Sequence, residues 1–252
     1  MSPLARLAAL PGLSQLVELV RAMPVPTPVR LLDGVRRTGT PRLWLLRSVW
    51  RRLPGARDES ERVYAAYSGG DVVDVGAFHG WYTALLAPKA RPGDRLVSLE
   101  PDPSAYPDLL RNLTALGSMF PHLRLWAVPE PAGDGSAVAV ADPSEHHPSF
   151  RAAEGRGARS LTVDALVEAA RLAPAFVKID VEGAEWHVLA GMTSTLERHA
   201  PVVMLELHPA WQPEGVEAGQ VVAVLERLGY TWDEIGDNDA VTRHLLCRPP
   251  GR

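Results

Sequence analysis

The stretch that most constrains this chain is Asp71-Val72-Val73-Asp74-Val75-Gly76, followed by Ala77-Phe78-His79-Gly80-Trp81-Tyr82-Thr83. The first five residues are short and β-branched enough to form a strand. Gly76 permits a turn or a close backbone approach, and Gly80 removes a side chain where the chain crosses into a helix. Strand, glycine turn and helix in that order present a small ligand at the carboxyl edge of a parallel sheet. The spacing is not the G-x-G-x-x-G of a dinucleotide fold, and no Gly-Lys-Ser/Thr follows as in a phosphate-binding loop.

From Asp71 onward, strand and helix patterns alternate. Strands are expected at 71–75, 95–99, 123–128, 175–179, 202–207, 229–235 and 242–247, with helices at about 80–88, 104–117, 162–172, 184–198 and 216–228. This rhythm predicts an α/β fold: a doubly wound, mainly parallel seven-stranded sheet with helices on both faces. Between the last two strands only Gly236-Asp237-Asn238-Asp239 intervenes, too little for a helix, so they are expected to close as an antiparallel hairpin. Prolines and glycines from Pro129 to Gly157 mark a long irregular insertion at 129–160.

The 252 residues suffice for one core, divided here into an extension, 1–57, and a main domain, 58–252. Residues 1–57 carry ten arginines against Glu18 and Asp33, a balance of +8, whereas the remainder balances at −12. The extension is predicted to be mostly helical. Pro24 to Pro28 break it, and a basic amphipathic helix at 42–53 (Leu43, Leu46, Trp50 and Leu53 on one face) ends at Pro54-Gly55. Such a helix caps the core or the substrate mouth, or lies on a membrane surface. No apolar run approaches the ~20 residues that span a bilayer. One cysteine, Cys247, allows no intrachain disulfide, so a reducing cytoplasm is the expected setting.

Three further constellations fall at predicted strand ends. Glu100, in Leu99-Glu100-Pro101-Asp102-Pro103, lies about two dozen residues past Gly76, where parallel nucleotide-binding folds place an acid on the ribose hydroxyls. In Val177-Lys178-Ile179-Asp180-Val181-Glu182-Gly183-Ala184-Glu185, Lys178 and Asp180 share one side of a strand. Glu182 and Glu185 suit the first turn of the following helix, but a lysine and an aspartate in a buried strand require partners. In Leu205-Glu206-Leu207-His208, Glu206 and His208 face the same side of the expected neighbouring strand. A histidine there serves as a general base near neutral pH or is simply partly solvated. His146-His147, in the insertion, reads as solvated loop.

Together with Leu161-Thr162-Val163-Asp164-Ala165-Leu166, these motifs resemble the FkbM-type family of S-adenosylmethionine-dependent methyltransferases over roughly residues 63–210. The resemblance implies a Rossmann-like class I methyltransferase fold and O-methylation of sugar or natural-product hydroxyls. It implies S-adenosylmethionine contacts at Asp74, Gly76, Ala77, Phe78, Gly80, Tyr82, Thr83, Glu100, Pro101 and Asp180, with Trp126 and Ala127 flanking the adenine. His208 is the first candidate base and Asp180 the second, with Lys178 and Glu182 beside them. No metal is required; Asp180, Glu206 and His208 are the set that would share a divalent cation. The partner is a small hydroxylated acceptor, with no nucleic acid; oligomeric state is not legible. The family pattern has Asn where Phe78 stands. Two other readings are a dinucleotide-dependent oxidoreductase, which lacks the third glycine and a Tyr-x-x-x-Lys arrangement, and a non-catalytic or membrane-associated protein on the same fold.

Overall fold

The computed structural model describes residues 27–31, 35–39, 54–138 and 158–251. The first described residues are strands β1 (Thr27–Leu31) and β2 (Val35–Gly39), paired antiparallel. A hairpin therefore replaces helix in this part of the expected mostly helical extension. Both segments carry β-branched Val and Thr, and the intervening sequence holds Asp33-Gly34, a turn-forming pair. The expected helix at 42–53 lies outside the described residues. Pro54-Gly55 opens a helix, α1 (Pro54–Ala66), because proline is tolerated in a first helical turn.

The main sheet then assembles from β3 (Asp71–Val75), β4 (Arg95–Leu99), β5 (Arg124–Val128), β8 (Pro174–Ile179), β9 (Val202–Leu207), β10 (Thr231–Glu234) and β11 (Arg243–Arg248). Its spatial order is β10-β11-β9-β8-β3-β4-β5. The five strands β5, β4, β3, β8 and β9 are parallel, and β11 enters antiparallel to β9 and pairs antiparallel with β10. This is the expected fold class. The order reverses between β3 and β8, so the crevice in which such sheets bind ligands opens beyond Val75 and Ile179.

Strand periodicity divides the core in two. Val73, Val75, Val97, Leu99, Val177, Ile179, Val203 and Leu205 pack on one face, under α4 (Val163–Ala169), α5 (Glu185–Ala190), α6 (Thr193–His199) and α7 (Ala218–Arg227). Val72, Leu96, Phe176, Val202 and Met204 pack on the other, with residues of α1, α2 (Trp81–Leu86) and α3 (Tyr106–Met119). Asp74, Ser98, Lys178 and Glu206 have the parity of this second face. They form a polar seam toward the strands' carboxyl ends.

The helix expected over 184–198 is two helices. Gly191 interrupts it where a Cβ would fall 1.9 Å from the Gly133 carbonyl oxygen, and Asp164 restarts it by accepting from the Ser194 and Thr195 amides. The insertion is ordered where it leaves and rejoins the fold: β6 (Ala137–Val138) pairs antiparallel with β7 (Ala158–Arg159). No helix among the described residues is long and apolar enough to cross a membrane.

Gly76 has φ +72°, and a Cβ on it would lie 1.7 Å from the Asp180 carbonyl oxygen. Gly76→Ala is expected to destabilise the protein by about 3 kcal/mol or more. Gly117→Ala, inside α3 with the nearest atom 3.8 Å from the added methyl, is expected to be neutral or to stabilise by up to about 1 kcal/mol. Urea denaturation of both variants checks the pair.

Candidate functional site at the carboxyl edge

The loop after β3 is held by its neighbours on both sides. The Gly76 and Ala77 amides donate to the Leu99 carbonyl, at 3.0 and 2.9 Å, and the Asp180 amide donates to the Val75 carbonyl at 3.1 Å. Asp74 is fully buried, and its Oδ2 accepts from Thr83 N (3.0 Å) and Thr83 Oγ1 (2.7 Å). Thr83 Oγ1 in turn lies 2.7 Å from Ser98 Oγ. Asp74 and Thr83 therefore join helix α2 to the sheet inside the core and do not line the crevice. Ala77 and Tyr82 are also buried.

Glu100 meets the loop from the end of β4. The Phe78 amide donates to its Oε2 at 2.6 Å and the Asp102 amide to its Oε1 at 2.9 Å. Burial pushes the carboxyl up to about 7, against the pull of those two amides. Each carboxylate oxygen accepts more than one hydrogen bond, so both retain capacity for a ligand hydroxyl. Phe78 has φ 49°, a left-handed conformation that asparagine adopts far more readily than phenylalanine. The family's Asn at this position thus answers a backbone requirement. Gly80 (φ 79°) begins α2.

The residues expected beside the adenine belong to the last residues of β5. β5 continues to Val128, so Trp126 lies within the strand, opposite Val97, and is 40% exposed. The Ala127 carbonyl accepts from Tyr106 Oη at 3.2 Å. Pro129 to Pro131 are the residues beyond that strand's end, which falls at the expected Val128.

Lys178 is not at the reacting edge but beneath it. Its Nζ donates to the Gly76 carbonyl at 2.7 Å and to Asp180 Oδ2 at 3.1 Å. It also lies 3.9 Å from Asp74 Oδ1 and 5.4 Å from the Tyr82 ring centre. Burial pulls its pKa down, but the charges of Asp180, Asp74 and Glu206 outweigh that and hold it above the ordinary lysine value. Lys178 is a buried cation that positions the Gly76 loop and Asp180.

Beyond β8 and β9 a carboxylate–histidine cluster forms. His208 is almost wholly buried and stacks on Trp211, with ring centres 4.8 Å apart. Its Nδ1 donates to Glu185 Oε1 at 2.9 Å, and its Nε2 lies 3.4 Å from Glu182 Oε2 and 3.6 Å from Glu206 Oε1. Burial opposes the imidazolium, but Glu185, Asp180 and Glu182 outweigh it and raise His208 to about 9. With no cation bound, those carboxylates favour the imidazolium form of His208. Glu182 is raised to about 8 by burial and the Asp180 charge. Burial and Glu206 also raise Asp180.

Asp180, Glu182 and His208 each bring one donor atom within 4.8 Å of the others. Glu182 thus stands where Glu206 was expected. Glu206 stays beside His208 and on its other side meets His244, whose Nε2 is 3.5 Å from Glu206 Oε2 and 3.5 Å from Glu59 Oε2. Burial would raise Glu206, but His244, His208 and Lys178 hold it at about 2. Sequence reading missed Glu59, His244 and Gln212. The β9–β11 pairing sets His244 opposite Glu206, and only that long-range register reveals it. Glu185, read as a helix-dipole residue, is fully buried and also accepts from the Gly183 amide at 3.0 Å and from Gln212.

The model of the methyltransferase FkbM domain matches residues 74–231. A search of curated proteins finds no match. Among solved structures, methyltransferase FkbM from Methylobacillus flagellatus KT aligns with a TM-score of 0.51 at 19% identity, covering 71% of this chain and 44% of that one. The chain thus spans less than half the length of that protein. Precorrin-6y C5,15-methyltransferase from Geobacter metallireducens GS-15 aligns at 0.46 and 12% identity, covering 75% and 87% of the two chains. An rRNA methylase from Streptococcus thermophilus aligns at 0.45 and 12%, covering 75% and 93%.

Lys178→Met leaves Asp74 and Asp180 with no cation between them, and is expected to cost about 3–5 kcal/mol in chemical denaturation. Phe78→Asn relieves the left-handed backbone and is expected to raise stability by about 1 kcal/mol, read in the same assay.

Proposed function

Because the chain belongs to the FkbM methyltransferase domain family, we propose that it transfers a methyl group from S-adenosylmethionine to a hydroxyl oxygen. The acceptor class we assign is a sugar or natural-product-type small molecule. The observation that carries this reading is the adjacency of two half-sites. Glu100 and the Gly76–Gly80 loop close the ends of β3 and β4, and the Asp180–Glu182–His208 cluster closes the ends of β8 and β9 next to them.

In this reading Glu100 holds the ribose, the loop holds the methionine end, and the acceptor lies on the cluster side. The methyl is activated by its sulfonium charge, so the protein mainly aligns the oxygen, carbon and sulfur and removes one proton. The oxygen–carbon bond forms as the carbon–sulfur bond breaks, and the electron pair stays on sulfur as neutral thioether. The hydroxyl proton enters the carboxylate–histidine cluster, whose members titrate as a coupled group rather than singly. Asp180 suits this acceptance: Lys178 engages its Oδ2, while its Oδ1 has no hydrogen-bond partner.

S-adenosylhomocysteine at 100 times its dissociation constant is expected to add about 2.7 kcal/mol of stability, and Glu100→Ala to abolish most of the thermal shift. An equal shift in that variant, or a shift with NAD instead, overturns the cofactor assignment. Labelled methyl appearing in hydroxylated small molecules supports the acceptor class; label found only in RNA or protein contradicts it.

A further inference from the structure

We propose that Asp180, Glu182 and His208 bind a divalent cation that receives the acceptor hydroxyl, an inference that rests on the methyl-transfer reading for its role. Two carboxylates and one imidazole converge from the ends of two adjacent parallel strands, with donor atoms within 4.8 Å. The two carboxylates remain partly exposed, with side-chain exposures of 25% for Asp180 and 29% for Glu182.

The histidine is oriented as a ligand. Its Nδ1–H is committed to Glu185 at 2.9 Å, and Glu185 is itself fixed by the Gly183 amide and Gln212. This is the outer carboxylate that accompanies metal-ligating histidines, fixing the ring so that Nε2 faces the ion. Nε2 is buried, with a side-chain exposure of 1%, and has no hydrogen-bond partner. Asp180 Oδ1 likewise has none. A buried nitrogen left so is costly unless something arrives to bind it. Backbone strain points the same way: Glu182 is held at φ 53°, a left-handed conformation rare for glutamate, with its carboxylate beside Nε2.

Two carboxylates beside one imidazole suit Mn²⁺, a hard first-row ion that accepts a nitrogen donor more readily than Ca²⁺ does. Three protein ligands leave coordination positions for an acceptor oxygen and water. A hydroxyl bound there is acidified, and its proton leaves to solvent in place of the direct transfer to Asp180, which the cation then occupies. Its oxygen then attacks the methyl carbon, the carbon–sulfur bond breaks, and S-adenosylhomocysteine leaves as the neutral thioether.

The test uses the full chain freed of metal by chelation, titrated with Mn²⁺ while the free-ion paramagnetic resonance signal is followed. One tightly bound Mn²⁺ per chain is expected. Glu182→Gln and His208→Gln are each expected to weaken it tenfold or more, and Glu185→Gln by about tenfold through loss of ring orientation. Retained unfolding cooperativity shows that each variant is folded. No stoichiometric binding, or affinity unchanged in both ligand variants, overturns the site. S-adenosylhomocysteine stabilisation without Mn²⁺ binding sinks the cation proposal alone. Mn²⁺ binding with no S-adenosylhomocysteine stabilisation upholds the site and sinks the methyl-transfer reading.

Discussion

One buried ammonium holds the carboxyl edge of this sheet together. Lys178 Nζ reaches the Gly76 carbonyl on one side and Asp180 on the other, so a single charge fixes the glycine loop of β3 against the acidic end of β8. These are the two strands that flank the reversal in sheet order. Burying that cation is tolerable only because Asp74, Asp180 and Glu206 surround it. Those carboxylates are likewise tolerable only because it is there.

The same logic extends outward along one face. Strand parity puts Asp74, Ser98, Lys178 and Glu206 among the apolar residues of the second core, and each finds a partner. Asp74 takes Thr83, Lys178 takes Asp180, and Glu206 takes His244, which also faces Glu59 of α1. The seam is structural where the strands run and becomes chemical only where they end. There Asp180, Glu182 and His208 project past the last ladder bonds, and Glu185 sets the imidazole from behind. Glu59 and His244 lie outside the 74–231 domain match yet complete the polar network behind the site.

Much of this was legible in the residues. The β-branched runs at 71–75, 95–99 and 202–207 became strands at those bounds, because buried parallel strands leave a strong local pattern. Glu100 and His208 fell at strand ends as expected. What was not legible depends on contacts distant in sequence. Gly191 breaks a helix because Gly133 approaches it, and Glu206 is shared with His244 because β11 brings that residue opposite. Lys178 was expected to need partners in a buried strand, and the loop carbonyl of Gly76 is one that its spacing did not reveal. Phe78 stands where the resembling family has Asn, and its left-handed backbone angle, which Asn adopts more readily, could not be read from the residues.

A crystal structure with bound S-adenosylhomocysteine tests the central claim most directly. The account requires the ribose hydroxyls on Glu100 and the sulfur facing the edge bounded by Asp180, Glu182 and His208, with Lys178 still joining Gly76 to Asp180. A ribose away from Glu100, or a sulfur turned from that cluster, would contradict it.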